Sequence, residues 1–324
     1  MADGAHLGED DFWGTPLQAA PRLLDEMLEQ AEPGLRLWTP PFVALDQQRP
    51  VHVHLGAVGT PVELERLALI ERATVVAVHV GTGRTTAARI GGNGGPRGPS
   101  RLAPPPGFEG GLGPASHARA AQTARCLLWE PSTASALPTG SYRLTAIAAD
   151  RSSNDAMLEL GRSTSTVDPV TSSQPPSTLQ VWPPPDPAGG LPRYDAIEGS
   201  LSPPSRHGVV IGAARVVQAK DGASCVLQGA LRAHPRASHQ ARHGAVLPVT
   251  LVIVGTVSPG PLVVPMHVPS FDRQDAAGDS GLTARFAVDL LRLAPLADAA
   301  QTYFVYAFTA DGHAGPQPIA IVAG

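Results

Sequence analysis

Residues 142–150 read YRLTAIAAD and residues 303–311 read YFVYAFTAD, so one pattern returns 161 residues later. Three further blocks recur in the same chain order, at offsets of 173, 174 and 160 residues. They are LGAV at 55–58 with QGAL at 228–231, VHVGT at 78–82 with VIVGT at 252–256, and TAR at 123–125 with TAR at 283–285. The offset drops where the first copy carries an extra Gly/Pro-rich loop. Four ordered matches indicate two copies of one domain.

The composition favours short strands and turns over long helices. The chain has 324 residues, 43% of them hydrophobic and 16% charged, with 34 glycines and 34 prolines. An ordinary domain has roughly 100–200 residues, so two domains are expected. Strand-length apolar runs bounded by turn residues occur throughout. In the first copy they are Phe42–Leu45, Val51–Val58, Thr74–Val80, Thr85–Ile90, Arg125–Trp129, Tyr142–Ala149 and Met157–Leu160. In the second they are Val209–Val217, Cys225–Ala233, Val246–Val254, Leu262–Val268, Thr283–Leu293, Thr302–Thr309 and Ile319–Val322.

This strand count predicts the fold class. About seven strands in about 115 residues per copy is typical of an immunoglobulin-like or fibronectin-like β-sandwich. Tyr142 and Tyr303 stand at the start of the next-to-last predicted strand, where such sandwiches carry a tyrosine corner. Cys126 and Cys225 fall on different strands of different copies, so neither copy can close its own disulfide. We therefore predict an all-β protein with two tandem sandwiches held by core packing, preceded by a short helix.

The domain boundaries follow from shifts in composition. Residues 1–36 form an N-terminal arm whose stretch 16–32 has apolar residues at helical spacing, ended by Pro33-Gly34. Residues 37–161 form the first sandwich, with a Gly/Pro-rich loop inserted at 91–114. Residues 162–205 are rich in Pro and Ser and are typical of a linker. Residues 206–324 form the second sandwich.

Two groups of histidines are candidate metal ligands. His52 and His54 are two apart on a predicted strand and share one face, which suits copper or zinc. His79 is the obvious third ligand, but its predicted strand usually lies in the opposite sheet. His239 and His243 would share a face only if their segment were helical, and Pro235 opposes a long helix there. The alternatives are a half-exposed strand face for the first pair and a solvated loop for the second.

No catalytic motif is complete. The tetrapeptide Gly278-Asp279-Ser280-Gly281 is similar to the nucleophile motif of chymotrypsin-like proteases, but Leu282 and a predicted strand follow directly. Residues 81–86 are glycine-rich without the lysine of a phosphate-binding loop. The sequence predicts a protein that is not an enzyme and needs no cofactor.

Charge and hydropathy exclude some partners. The net charge is −4 and only Lys220 is a lysine, so there is no basic footprint for nucleic acid. No apolar run reaches the 18 or more residues of a membrane span. With no basic and apolar signal at the N-terminus we expect a cytoplasmic, soluble protein, and the Arg- and Ala-rich composition indicates a bacterial source.

The remaining hypothesis is protein binding. The helix 16–32 carries an apolar face that includes Leu24, Met27 and Leu28, directly after Phe12 and Trp13, and it packs either on its own domain or on a partner. Phe108 in the loop 91–114 is a second candidate contact. We expect a structural or accessory protein that binds another protein or a second copy of itself, possibly as a subunit of a larger assembly. The alternatives are a copper- or zinc-binding protein and a carbohydrate-binding module.

Overall fold

The computed structural model describes residues 34–39, 42–44, 51–60, 63–64, 72–89, 120–129, 138–161, 201–219, 223–234, 239–241, 244–257, 261–270, 272–273, 281–293 and 300–323. The predicted helix 16–32, the loop 91–114 and residues 162–200 of the predicted linker lie outside this part. In the described ranges no helix is long and apolar enough to cross a membrane.

The described residues are mostly β-strands in several sheets, which confirms the all-β prediction. In the first half the strands are β1 Gly34–Trp38, β2 Phe42–Ala44, β3 Val51–Gly59, β4 Thr74–His79, β5 Thr85–Arg89, β6 Ala120–Trp129, β7 Gly140–Ala148, β8 Arg151–Ser152 and β9 Ala156–Gly161. In the second half they are β10 Gly208–Ala213, β11 Val216–Ala219, β12 Val226–Ala233, β13 His239–Ala241, β14 Gly244–Gly255, β15 Leu262–Pro269, β16 Asp272–Arg273, β17 Leu282–Asp289, β18 Thr302–Thr309 and β19 Gly312–Ala323. One short helix, α1, spans Leu290–Leu293.

Two predicted strands differ from the structure. The run Val209–Val217 is two strands because the chain leaves one sheet after β10, which pairs with β12, and joins another as β11, which pairs with β19. At the crossing, the Arg215 carbonyl accepts a hydrogen bond from the backbone N–H of Ala320 at 2.7 Å. The run predicted to end at Leu293 instead ends as a strand at Asp289, whose carboxylate begins α1 by accepting from the N–H of Leu291.

The chain divides into two compact units. The first consists of residues 1–77 with 87–165, and the second of residues 78–86 with 166–324. The strand order is β1-β3-β6 in one sheet of the first half and β2-β9-β7-β4-β5 in the other. In the second half one sheet has the order β10-β12-β17-β16, and the other has β11-β19-β18-β14-β13, with β15 also paired to β14.

In each unit, side chains from two sheets meet in one core. The first core includes Leu37 and Leu55 from one sheet with Val75, Leu144 and Leu160 from the other. The second core includes Leu227 and Phe286 from one sheet with Leu251, Val305 and Ile319 from the other. Each such side chain contributes about 1.5–3 kcal/mol when fully buried. Two facing sheets over a common apolar core are therefore the stabilising arrangement of each unit.

The strand register corrects one block of the sequence repeat. Gly34 pairs with Val58 and Gly208 pairs with Arg232, which relates the two halves by 174 residues along these strands. The match of LGAV with QGAL used 173, and a slip of one residue exchanges the two faces of a strand. Gly229 faces the core, where a Cβ would overlap the ring of Phe286. Gly56 lies between the core residues Leu55 and Ala57 and so belongs to the other face.

Candidate functional site

Of the first histidine pair, the structure describes the side chain of His54 alone. His54 lies in β3 between Trp38 of β1 and Arg125 of β6, and it is buried. Its neighbours Val53 and Leu55 belong to the core, so His54 lies on the opposite face of the strand. The backbone of His52 is in the same strand, but its side chain lies outside the described part. At an offset of 174 residues the counterpart of His54 is Gln228, which is also outside the core.

The second histidine pair and the docking residues are described only in part. His239 lies in β13 without a described side chain, and His243 lies outside the described residues. The predicted partner-binding residues also lie outside them, namely Phe12, Trp13, Leu24, Met27, Leu28 and Phe108. Within the described residues no group of three or more His, Cys, Asp or Glu side chains could hold a metal ion. The metal and docking predictions therefore stay predictions.

His79 has a local structural role. Its Nδ1 accepts a hydrogen bond from the backbone N–H of Thr82 at 3.1 Å. Its backbone carbonyl accepts from the N–H of Gly83 at 2.7 Å, and its own N–H donates to the carbonyl of Arg84 at 2.9 Å. The side chain is buried. His79 thus stabilises the turn between β4 and β5, and one of its ring nitrogens is already engaged.

Cys225 is a buried thiol beside a buried carboxylate. Burial, and next the negative charge of Asp289, raise the pKa of the Cys225 thiol to about 11. The thiol is therefore protonated near neutral pH, and a protonated thiol is a poor nucleophile and metal ligand. Asp289 Oδ1 accepts from the N–H groups of Cys225 at 3.0 Å and Leu291 at 3.1 Å. Both residues fasten the end of β17 to the start of β12.

A cluster of basic side chains lies at one end of the second unit. The rings of His207 and His234 meet edge to face, with centroids 5.7 Å apart. Arg232 Nη1 donates to the Ser205 carbonyl at 3.3 Å, and the Arg232 stem lies beside Gly281. His207 Nε2 is buried and makes no hydrogen bond to any part of the chain described. No sequence motif marked this cluster, because its members come from a loop, a strand end and a distant glycine.

The free edge of β11 is the most exposed apolar feature of the described strands. Among these strands β11 pairs with β19 alone, in parallel, and it ends the sheet order. Val216 is 63% exposed, and Val322 of β19 is also exposed. Gln218 is exposed and uncharged. We call Val216–Ala219 with Val322 the β11 edge. In the first half, β2 likewise pairs in parallel with β9 and exposes Phe42.

No protein-family model matches the chain, and no curated protein matches it.

Proposed function

We propose that this protein is a non-catalytic structural or accessory protein that binds another protein at the β11 edge, as a subunit of a larger assembly. The observation that carries the proposal is the exposed Val216 on a strand whose outer edge has no partner among the described strands. Such an edge presents unpaired backbone N–H and C=O groups to which an extended segment of a partner can add as a further strand.

The chemistry of the β11 edge supports this use. Natural edge strands are often protected by inward-pointing charge, lysine or proline. β11 reads VVQA, and none of its four residues is charged or is a proline. Val216 and Val322 add exposed apolar surface next to the hydrogen-bonding groups. An incoming strand would satisfy the backbone groups and bury these side chains together.

We also propose that each unit is an immunoglobulin-like sandwich, a scaffold that presents edges and loops to partners. The order β10-β12-β17-β16 has the arrangement A-B-E-D, and β19-β18-β14 has the arrangement G-F-C, when the strands are lettered along the chain. The Tyr142 hydroxyl donates to the Pro138 carbonyl at 2.7 Å, four residues upstream. A tyrosine corner in such sandwiches makes this kind of bond.

Native mass spectrometry of the protein purified gently from its source cells tests the proposed function. The wild type should appear in a heavier complex with a second protein chain. Val216→Lys should lose that chain, because a lysine on the edge opposes strand addition. The matched control is Val257→Lys, an exposed valine in the segment after β14 that should keep the complex. A bare wild-type monomer, a monomer with stoichiometric metal, or a complex that survives Val216→Lys would each overturn the proposal.

A further inference from the structure

The second unit is assembled from two separate stretches of the chain. One is Val78–Thr86, which comprises the end of β4, the following turn and the start of β5, and the other is Thr166–Gly324. The first stretch is therefore an integral part of a unit whose other strands are all made more than a hundred residues later.

Two contacts seat residues 78–86 on β14. The Thr250 hydroxyl donates to the Thr85 hydroxyl at 2.7 Å, and Thr250 is buried. Gly83 has φ +66°, and a Cβ at this position would overlap the ring of Pro248. A left-handed glycine without a side chain is thus required for this close approach. The turn and the strand fit each other by shape as well as by hydrogen bonding.

The surface under residues 78–86 belongs to an apolar sheet face. Thr250 pairs with Phe308 and Val252 pairs with Tyr306 across β14 and β18. All four side chains are buried, yet none belongs to the core of the second unit, which takes the alternate residues Leu251, Val305 and Ala307. The outward face of an antiparallel sheet is commonly solvated. We call these four residues with Pro248 the outer face.

We infer that the outer face is a docking surface whose occupant is the segment 78–86, and that this docking holds the two parts of the chain together after the connection between them is cut. The segment arrives on the ends of two paired strands, β4 and β5, so little conformational entropy is lost when it docks. The inference is independent of the proposed function, since it concerns β14 and β18 and leaves the β11 edge unused.

A cleavable chain tests the inference. A site-specific protease sequence inserted at Pro184 allows the folded, full-length protein to be cut once, within residues 162–200. The two fragments should co-elute in size-exclusion chromatography at micromolar concentration and separate only in denaturant. Fragments that separate in native buffer would show that the segment 78–86 does not dock, and would overturn the inference.

Variants of the same cleavable chain identify the surface. Gly83→Ala should weaken the association of the cut fragments by about tenfold or more, which corresponds to 1.4 kcal/mol. The matched control is Gly208→Ala, because Gly208 also has a positive φ but has open space around its Cβ position. Thr85→Val removes the hydroxyl partner of Thr250 without a clash and should weaken association less. If neither Gly83→Ala nor Thr85→Val weakens association, the outer face is not the docking surface.

Discussion

The side-chain amide of Asn154 pairs with both backbone polar groups of Leu37, 117 residues earlier. The Leu37 N–H donates to Asn154 Oδ1 at 3.0 Å, and Asn154 Nδ2 donates to the Leu37 carbonyl at 3.1 Å. Leu37 lies in β1, which pairs with β3 on its other side. One amide side chain therefore does for the free edge of β1 what a neighbouring strand would do.

Asn154→Ala should destabilise the first unit by about 1–3 kcal/mol, because it leaves the buried Leu37 with two unsatisfied backbone groups. Asn154→Asp keeps the acceptor and loses the donor, so it should also destabilise. Urea unfolding followed by circular dichroism measures both. Met157→Ala, at a half-exposed position on β9, serves as the control and should change the free energy of unfolding little. Equal stability of Asn154→Ala and wild type would contradict the edge-capping role.

Asp289→Ala should cost about 1–3 kcal/mol of the free energy of unfolding. The substitution removes the acceptor of two backbone N–H groups, those of Cys225 and Leu291, and so loosens the start of α1. Arg292 Nε lies 3.5 Å from Asp289 Oδ2, but its side chain is exposed and the ion pair adds little. The matched control is Asp150→Ala, whose ion pair with Arg151 is exposed and should contribute close to nothing. Similar losses in the two variants would argue against a structural role for Asp289.

The Cys225 thiol should resist alkylation in the folded protein. Because burial raises its pKa to about 11, the folded state holds the thiol proton more tightly than the unfolded state, whose pKa is near 9. The contribution to stability is present below pH 9 and is lost as the pH rises toward 11. A Cys126→Ala variant leaves Cys225 as the single cysteine, and its reaction with a disulfide reagent at pH 8 should proceed at the rate of unfolding. Rapid labelling without denaturant would refute this.

His207→Phe should leave the protein as stable as the wild type or raise its free energy of unfolding by about 1 kcal/mol. The reason is that a buried Nε2 without a hydrogen bond in the described structure costs desolvation free energy, while an apolar ring of similar shape does not. Thermal unfolding monitored by circular dichroism checks the sign. Asn at the same position restores a polar group and should not stabilise. A loss of 1 kcal/mol or more in His207→Phe would show that the ring nitrogen has a favourable partner.

Strand positions were predictable where local pattern and burial agree. β18 has the predicted bounds Thr302–Thr309 because its apolar residues form one continuous strand-length run. The crossing between β10 and β11 was not predictable, since the run from Val209 to Val217 has no local signal for which sheet accepts it.

The candidate surfaces depend on contacts between distant residues. Asn154 and Leu37 are 117 residues apart, and Thr85 and Thr250 are 165 residues apart, so no window of sequence contains either pair. The expected protein-binding edge rested on the general behaviour of sandwiches, whereas the particular edge, β11, emerged from its pairing and from the exposure of Val216. The QGAL match placed Gly229 on the wrong face because residue identity, rather than strand register, guided the alignment.

The composition of the second unit has a consequence for synthesis on the ribosome. Thr85 leaves the peptidyl-transferase centre 165 residues before its partner Thr250, which at about 5–20 residues per second is a delay of roughly 10–30 seconds. β4 and β5 can pair early, but their connecting turn has nothing to settle on until β14 and β18 have been made. The last 160 or so residues are therefore translated onto a nascent chain that already displays part of their final structure. In this protein the N-terminal portion serves its C-terminal portion as an intramolecular template.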